Sequence, residues 1–346
     1  MKKTKELLLI SGVSFFAILI TLGGAELVLR IRHHKPKFHN YIEENWNLVN
    51  WEFPVQHDPY LGWIPKPNKT VVTKNSQEVL TLLDSGIRSN GDENKNKVNS
   101  SPILAVGAST VFGSQVTDKD TWPAILEKSI QKKVVNGAVF AYGFDQIILR
   151  MEDLITKIRP ERVIIGIHPD NLAQTAMSQK YGKKPYFEIV ANELVLKNTP
   201  VPETKKELTI YQATLGYSYL IHYLMSRLMP QIWLENHGEI RVHNQANEVS
   251  CLLVKRAARL CKKNKIHCSI LFQYFHTTVS EAREQVNLLS SCIKTTQLQL
   301  WDSYEELEQI KKNDPSRYKT FFDFHMTPTG NAWVANYIAK KIRGNN

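Results

Sequence analysis

The sequence predicts an α/β protein: a three-layer α/β/α sandwich with a central, mostly parallel sheet, preceded by one N-terminal transmembrane helix. Short apolar runs at 103–106, 162–167 and 267–273 are typical of strands buried on both faces. Segments with helical periodicity separate these runs, and parallel strands joined by helices form layered α/β folds. An apolar stretch at 7–25 is about long enough to cross a bilayer.

Three regions follow along the chain. Residues 1–32 are predicted to be a membrane signal anchor, 33–101 a linker and N-terminal extension, and 102–346 one α/β domain with an insertion at about 175–240. We interpret the anchor as uncleaved, because the apolar run exceeds a usual signal-peptide core and no small-x-small site follows it. Basic residues flank the run on both sides, so the positive-inside rule does not choose its orientation.

The elements of this α/β domain are predicted in chain order. They are strand 103–106, helix 122–131, strand 133–136, helix 145–157, strand 162–167, a hairpin at 184–201, helix 247–263, strand 267–273, helix 279–292, strand 297–301 and helix 332–342. The segment 208–234 is rich in Tyr, Leu, Ile and Met. We interpret it as ordinary core packing, with a lid or a membrane-facing helix as alternatives.

The first predicted strand ends in small residues and one hydroxyl, Gly107-Ala108-Ser109. Ligands of open α/β sheets bind beyond the carboxyl ends of the strands, so Ser109 occupies a suitable place for a nucleophile. The alternative is that Ser109 caps the next helix.

Near the C-terminus, Asp323 and His325 lie two residues apart, just before the last predicted helix. A serine hydroxyl needs a base to attack, and that base needs a partner to fix its tautomer. An imidazole and a carboxylate in one loop can fill both roles. The alternative is a pair of surface residues near a helix start.

Together these blocks resemble the SGNH/GDSL hydrolase superfamily. The first block, 107–113, has Ala108 where the family commonly carries aspartate. The second, 134–146, is similar to the family's Asn-Ala-Gly segment with Gly137 and Ala138 in swapped order. The third, 162–172, has Asp170-Asn171 where the family commonly has Asn-Asp.

The resemblance implies a flavodoxin-like fold and a set of site residues. Ser109 would attack, His325 would carry the proton, and Asp323 would orient the imidazole, although the family often spaces its aspartate three residues before the histidine. The oxyanion hole would comprise the backbone N–H groups of Ser109 and Ala138 with Asn171. His168 and Asp170 are further candidates in the third block.

Shorter motifs, among them 58–63 and 84–88, resemble a membrane-anchored bacterial branch of the superfamily. This resemblance implies a single-pass protein of the cytoplasmic membrane with its catalytic domain on the periplasmic, or extracytoplasmic, side. The function it implies is a serine esterase or acyl-ester hydrolase that acts through an acyl-enzyme. The alternatives are an O-acyltransferase acting on envelope polysaccharide and a catalytically degenerate scaffold that binds an envelope ligand. The expected partners are an acyl-ester or acylated glycan substrate and the membrane.

The charge and the cysteine content limit which partners and metal sites are expected. The net charge is +11, but the lysines are scattered and no nucleic-acid motif accompanies them, so we expect no nucleic-acid partner. The four cysteines lack paired Cys-x-x-Cys spacing, which argues against a zinc site, and their even number is compatible with disulfides. Neither a metal nor another cofactor is implied. The oligomeric state is left open.

Overall fold

The computed structural model describes residues 2–32, 54–72, 78–91, 101–205, 207–235, 237–274 and 283–344. These residues form two compact units. The first comprises the described residues within 1–52, 179–182 and 204–240, and the second comprises those within 53–178, 183–203 and 241–346.

Helices and strands alternate through most of the chain. The helices are α1 (Lys2–Arg32), α2 (Ser109–Phe112), α3 (Trp122–Ile130), α4 (Phe144–Ile158), α5 (Asp170–Ala173), α6 (Ile210–Leu215), α7 (Tyr219–Leu228), α8 (Pro230–Trp233), α9 (Ala246–Asn264), α10 (Arg283–Lys294), α11 (Tyr304–Asn313), α12 (Pro315–Thr320) and α13 (Pro328–Arg343). The strands are β1 (Val55–Asp58), β2 (Gly62–Pro65), β3 (Lys69–Val72), β4 (Val79–Leu82), β5 (Ile103–Gly107), β6 (Val134–Asn136), β7 (Arg162–Ile167), β8 (Met177–Gln179), β9 (Tyr186–Val190), β10 (Glu193–Lys197), β11 (Ile240–Arg241), β12 (His267–Phe272) and β13 (Gln299–Asp302).

The second unit is built on a five-stranded parallel sheet in the order β13-β12-β7-β5-β6. Every residue of β5 and β7 is buried, which explains their uninterrupted apolar sequences. The chain passes from β5 to β6 on one side and then back across β5 to β7. Their carboxyl ends therefore share the edge at which the strand order reverses, where open α/β sheets bind ligands.

Helices cover both faces of this sheet. Crossovers between parallel strands are right-handed, and the β5–β6 and β6–β7 connections run in opposite directions across the sheet. Their helices α3 and α4 consequently lie on opposite faces, where α3 packs on α13 and α4 packs on α9. The predicted three-layer sandwich is confirmed. The strand predicted at 162–167 is observed with those bounds, and the other four differ from the observed strands by one or two residues at an end.

Part of the predicted extension packs into the second unit. Strands β1 and β2 form one antiparallel pair, and β3 and β4 form another. The Trp63 indole N–H donates to Phe140 O at 3.3 Å, and the Tyr142 hydroxyl donates to Trp63 O at 2.5 Å. These bonds fix the loop that follows β6 against β2.

The remaining predicted elements are observed with small differences. Residues 184–201 contain the antiparallel hairpin β9–β10. The start predicted for the helix at 279–292 lies outside the described residues, and α10 begins at Arg283 in the described part. The cysteines form two disulfides, Cys251–Cys292 and Cys261–Cys268, which tie α9 to α10 and to the start of β12.

The N-terminal helix α1 contains a stretch, Ile10–Arg32, with a mean hydropathy of 2.0. This length and composition fit a single-pass membrane anchor or a signal sequence. The predicted apolar helix is therefore present.

Candidate active site

The candidate nucleophile lies in a tight turn at the carboxyl end of β5. Gly107 is paired with Gly166 of β7, and the side chain of Val111 packs over both. A Cβ on Gly107 would lie 2.2 Å from Val111 Cγ2 and 2.5 Å from Gly166 O. Only glycine fits at 107, because any other residue would displace the turn. Ser109 is half-buried, and its hydroxyl makes no hydrogen bond among the described residues.

A buried arginine holds the loop that follows this turn. The Arg88 guanidinium donates to Phe112 O at 2.7 Å, to Gly113 O at 2.5 Å and to Val116 O at 2.6 Å, and it pairs with Asp118 at 3.1 Å. Arg88 is 1% exposed. A guanidinium presents five donors in a rigid fork, so one side chain can fix several carbonyls at once.

The loop held by Arg88 presents Gln115 to the candidate base. The His325 backbone N–H donates to Gln115 Oε1 at 2.8 Å, and His325 Nδ1 lies 3.0 Å from the same oxygen. Gln115 has a positive φ of 67°. It lies in the chain between Gly113 and Val116, whose carbonyl oxygens both accept hydrogen bonds from Arg88. The residue six positions after Ser109 thus contacts the histidine directly.

This contact determines which nitrogen of His325 carries the proton. A backbone N–H can only donate, so the Gln115 atom it meets must be the amide oxygen. That oxygen accepts a second hydrogen bond from His325 Nδ1–H. In the neutral ring Nε2 is then unprotonated, which is the tautomer that a general base needs.

His325 is neutral at physiological pH. Burial, and secondly the neighbouring charge of His168, lower its pKa from 6.5 to about 4. His325 can therefore accept a proton over the whole neutral range.

The carboxylate of Asp323 is not what contacts His325 Nδ1. Asp323 is exposed, its backbone N–H donates to His325 O at 2.9 Å, and its carboxylate makes no hydrogen bond or ion pair among the described residues. Its contribution here is the tight turn that carries the histidine. The orienting role assigned to Asp323 from the sequence stays a prediction.

The second block offers a donor that is already engaged. The Ala138 backbone N–H donates to Asn136 Oδ1 at 3.3 Å, while the N–H groups of Gly137 and Val139 continue the ladder to β5. The amide nitrogen of Asn136 donates to Val111 O at 3.3 Å. For Ala138 to bind an oxyanion, its long hydrogen bond to Asn136 has to be exchanged.

In the third block, Asn171 links two loops. Its Oδ1 accepts from the His168 N–H at 2.7 Å, and its Nδ2 donates to Tyr142 O at 3.0 Å. The Asp170 N–H donates to His168 Nδ1 at 3.2 Å, and the Asp170 carboxylate is 3.4 Å from the same nitrogen. These two contacts of Asp170 are with Nδ1, so Nε2 is the ring nitrogen of His168 that we consider as a donor.

The structure thus brings Ser109, Ala138 and the 168–171 loop to one edge of the sheet, and it joins His325 to the serine loop through Gln115. Sequence reasoning missed the roles of Gln115 and Arg88. Arg88 ends the 84–88 motif, and an arginine between apolar strands was the available signal. Gln115 carried none. No cluster of three or more His, Cys, Asp or Glu side chains in the described ranges is arranged to hold a metal ion.

Comparisons with known proteins give a distant likeness in architecture. No family model matches the sequence, and no curated protein matches it significantly. Similar solved structures include a catalytic mutant of an acetylxylan esterase from Geobacillus stearothermophilus, with 11% identity, a TM-score of 0.43, and coverage of 72% of this chain and 96% of that one. Another is the esterase EstA from Pseudoalteromonas sp., with 11% identity, a TM-score of 0.37, and coverage of 71% and 100%.

A third similar structure is TesA, with 9% identity, a TM-score of 0.41, and coverage of 70% of this chain and 98% of that one. A protein from Desulfitobacterium hafniense DCB-2 whose description places it in the G-D-S-L family has 12% identity, a TM-score of 0.40, and coverage of 70% and 99%.

Proposed function

We propose that this protein is a membrane-anchored serine hydrolase of acyl esters. One observation carries the proposal: Gln115, in the loop that follows Ser109, holds His325 in the tautomer of a general base. A half-buried serine hydroxyl at the carboxyl edge of the sheet is the group such a base would serve.

The reaction proceeds through an acyl-enzyme. Ser109 Oγ attacks the ester carbonyl while its proton passes to His325 Nε2, and the imidazolium then protonates the departing alcohol oxygen. Water attacks the acyl-enzyme with His325 again taking a proton, which returns to Ser109 as the acid leaves. Gln115 Oε1 accepts from Nδ1–H throughout and prevents the ring from turning.

The oxyanion is held by donors at the same edge. The Ser109 N–H begins the short helix α2, and the first N–H groups of a helix have no partner within it. His168 Nε2–H is proposed as the second donor, because His168 directly follows β7, the strand that pairs with β5. The N–H of Ala138 joins them if it leaves Asn136, and the Asn171 amide supports His168.

Helix α1 is proposed as the anchor and the catalytic unit as extracytoplasmic. Disulfides persist in oxidising compartments, and all four cysteines are paired. A maleimide reagent added to the denatured protein from intact cells should label it only after reduction. Labelling without reduction would place the domain in the cytoplasm.

An activity-based fluorophosphonate tests the nucleophile in the full chain held in detergent. We expect labelling of the unmodified protein, none with Ser109→Ala or His325→Ala, and normal labelling with Ser114→Ala. Ser114 is the matched control, because it is a serine of the same loop whose N–H donates to Ser109 O. Labelling that survives Ser109→Ala would contradict the proposal.

A binding scaffold is the second candidate, favoured by the engaged N–H of Ala138 and by a Ser109 hydroxyl that makes no hydrogen bond among the described residues. It predicts a folded, unlabelled protein.

A hydrolase and an O-acyltransferase share the acyl-enzyme and differ in the acceptor. An acyl group labelled with carbon-14 appears as free acid in the first case and on polysaccharide in the second.

A further inference from the structure

The helical insertion of the first unit exposes a row of large apolar side chains. We define the insertion face as Ile210, Tyr211, Leu224, Leu228, Met229 and Ile232. Leu228 is 74% exposed and Ile210 is 73% exposed. Helices on the surface of a soluble protein normally turn polar residues outward, so this arrangement needs an explanation.

The same helices bury a different side. Trp233, Leu234 and Ile240 form a small core, against which Leu208, Ile221 and Met225 pack. Gln212 reinforces it, with its amide nitrogen donating to Trp233 O at 2.8 Å. The insertion therefore packs one side into a small core and exposes apolar side chains on the other. The prediction of ordinary core packing holds only for the buried side.

Helix α7 is built directly on α1. The Glu26 carboxylate accepts from the Ser218 hydroxyl at 2.9 Å, the Tyr219 N–H at 3.0 Å and the Leu220 N–H at 2.8 Å. Arg30 pairs with Glu26 at 2.8 Å and donates to Tyr217 O at 2.6 Å. The carboxylate thus satisfies the N–H groups that begin α7, while Arg30 balances its charge.

The position of Glu26 along α1 places α7 at the boundary of a membrane. Residues 7–25, between Glu6 and Glu26, carry no charged side chain, and at 1.5 Å per residue they span about 28 Å, close to the thickness of the hydrocarbon layer. A carboxylate at that boundary needs partners, which α7 supplies. Arg227 lies over the Tyr223 ring at 4.0 Å, and both residues are exposed, as basic and aromatic residues at membrane interfaces commonly are.

We propose that the insertion face lies in the boundary between headgroups and acyl chains of the bilayer that α1 enters. The occupant of this face is lipid, because the face belongs to the same compact unit as the apolar span, and α7, which carries part of the face, is bonded to Glu26 of α1. Helix α1 is then a permanent structural part, since cleavage would remove Glu26 and Arg30 from α7. The inference rests on the proposed anchor and is independent of the esterase chemistry.

Depth measurement by electron paramagnetic resonance tests this in the full chain, in nanodiscs of phosphatidylethanolamine and phosphatidylglycerol. All four cysteines are paired, so a nitroxide attaches selectively to a new cysteine. At Leu228→Cys we expect a ratio of oxygen to nickel-chelate accessibility several-fold above that at Glu239→Cys, an exposed acidic residue of the same unit. Both substitutions are at exposed positions and leave the buried core intact.

A third label, at Ile18→Cys, separates the two proposals. If Ile18 is in lipid and Leu228 has the accessibility of Glu239, the insertion face is not in the membrane and this inference fails. If Ile18 is itself in water, the anchor fails. A Leu228 label shielded from both oxygen and nickel would mean that protein covers the face, which also overturns the inference. Adding Glu26→Ala should lower the ratio at Leu228 and leave it unchanged at Ile18.

Discussion

The serine turn and the histidine loop are held in different ways. Arg88 is buried beneath the serine turn and binds three carbonyls and a carboxylate, and two paired glycines let Val111 close over the strand ends. The histidine loop is exposed at Asp323 and Phe324, and its imidazole is oriented by Gln115 from the serine side. The nucleophile is thus placed by the core of the fold, whereas the base is placed by a residue that the nucleophile's own loop provides.

The largest expected effect is on the serine side. Arg88→Met removes a buried charge and leaves Asp118 and several carbonyls without their donor, so the free energy of unfolding should fall by about 3–5 kcal/mol. Urea unfolding followed by circular dichroism measures this loss. Lys119→Met, an exposed residue in the neighbouring turn, is the control and should change little. Equal stability of the two variants would show that the hydrogen bonds and the ion pair of Arg88 contribute little to the free energy of unfolding.

The second effect concerns pH. His325 must be neutral to accept a proton, and its pKa is lowered to about 4, so kcat/KM should persist as the pH falls through 6 and decline only near 4. Gln115→Glu places a carboxylate beside the ring, which raises the pKa of His325 and should move the acid limb to higher pH. An acid limb at 6.5 in the unmodified protein would contradict the low pKa.

The third effect separates Gly107, which precedes the serine turn, from its partner Gly166 in β7. A Cβ on Gly166 would lie 2.3 Å from Val111 Cγ2, so Gly166→Ala should cost about 1–3 kcal/mol of stability. Adding Val111→Ala should recover part of the loss. The same addition should help Gly107→Ala less, because there the clash includes the backbone oxygen of Gly166. Urea unfolding measures the stability that Val111→Ala restores to each glycine variant. Equal recovery in both would mean that the backbone at Gly166 moves away from the new Cβ at position 107.

The smallest effect is expected on the histidine side. Phe324 is 74% exposed, so Phe324→Ser should change the free energy of unfolding by less than about 0.5 kcal/mol. Thermal unfolding beside the unmodified protein measures the difference. A loss of several kcal/mol would show that the histidine loop is as firmly held as the serine turn.

The sequence predicted the sheet and its helices well because buried parallel strands are continuously apolar, as β5 and β7 are. Ser109 and His325 were predicted as site residues because each lies in a recognisable block, and their roles stay predictions. Gln115 and Arg88 could not be found in this way, since each acts through a tertiary contact: Arg88 comes from a segment predicted to be an extension, and Gln115 meets a residue 210 positions away. The Asp-x-His pattern favoured Asp323 as the partner of the imidazole, whereas the structure has the side-chain amide of Gln115 beside His325 Nδ1.

The account's central claim is that Gln115 orients His325. The most direct test is the second-order rate constant for fluorophosphonate labelling of Ser109 in Gln115→Ala and Asp323→Ala. We expect Gln115→Ala to slow labelling by about 10- to 100-fold, as loss of an oriented base should, and Asp323→Ala to label at nearly the unmodified rate. Normal labelling of Gln115→Ala with strongly slowed labelling of Asp323→Ala would contradict the account and return the orienting role to the carboxylate.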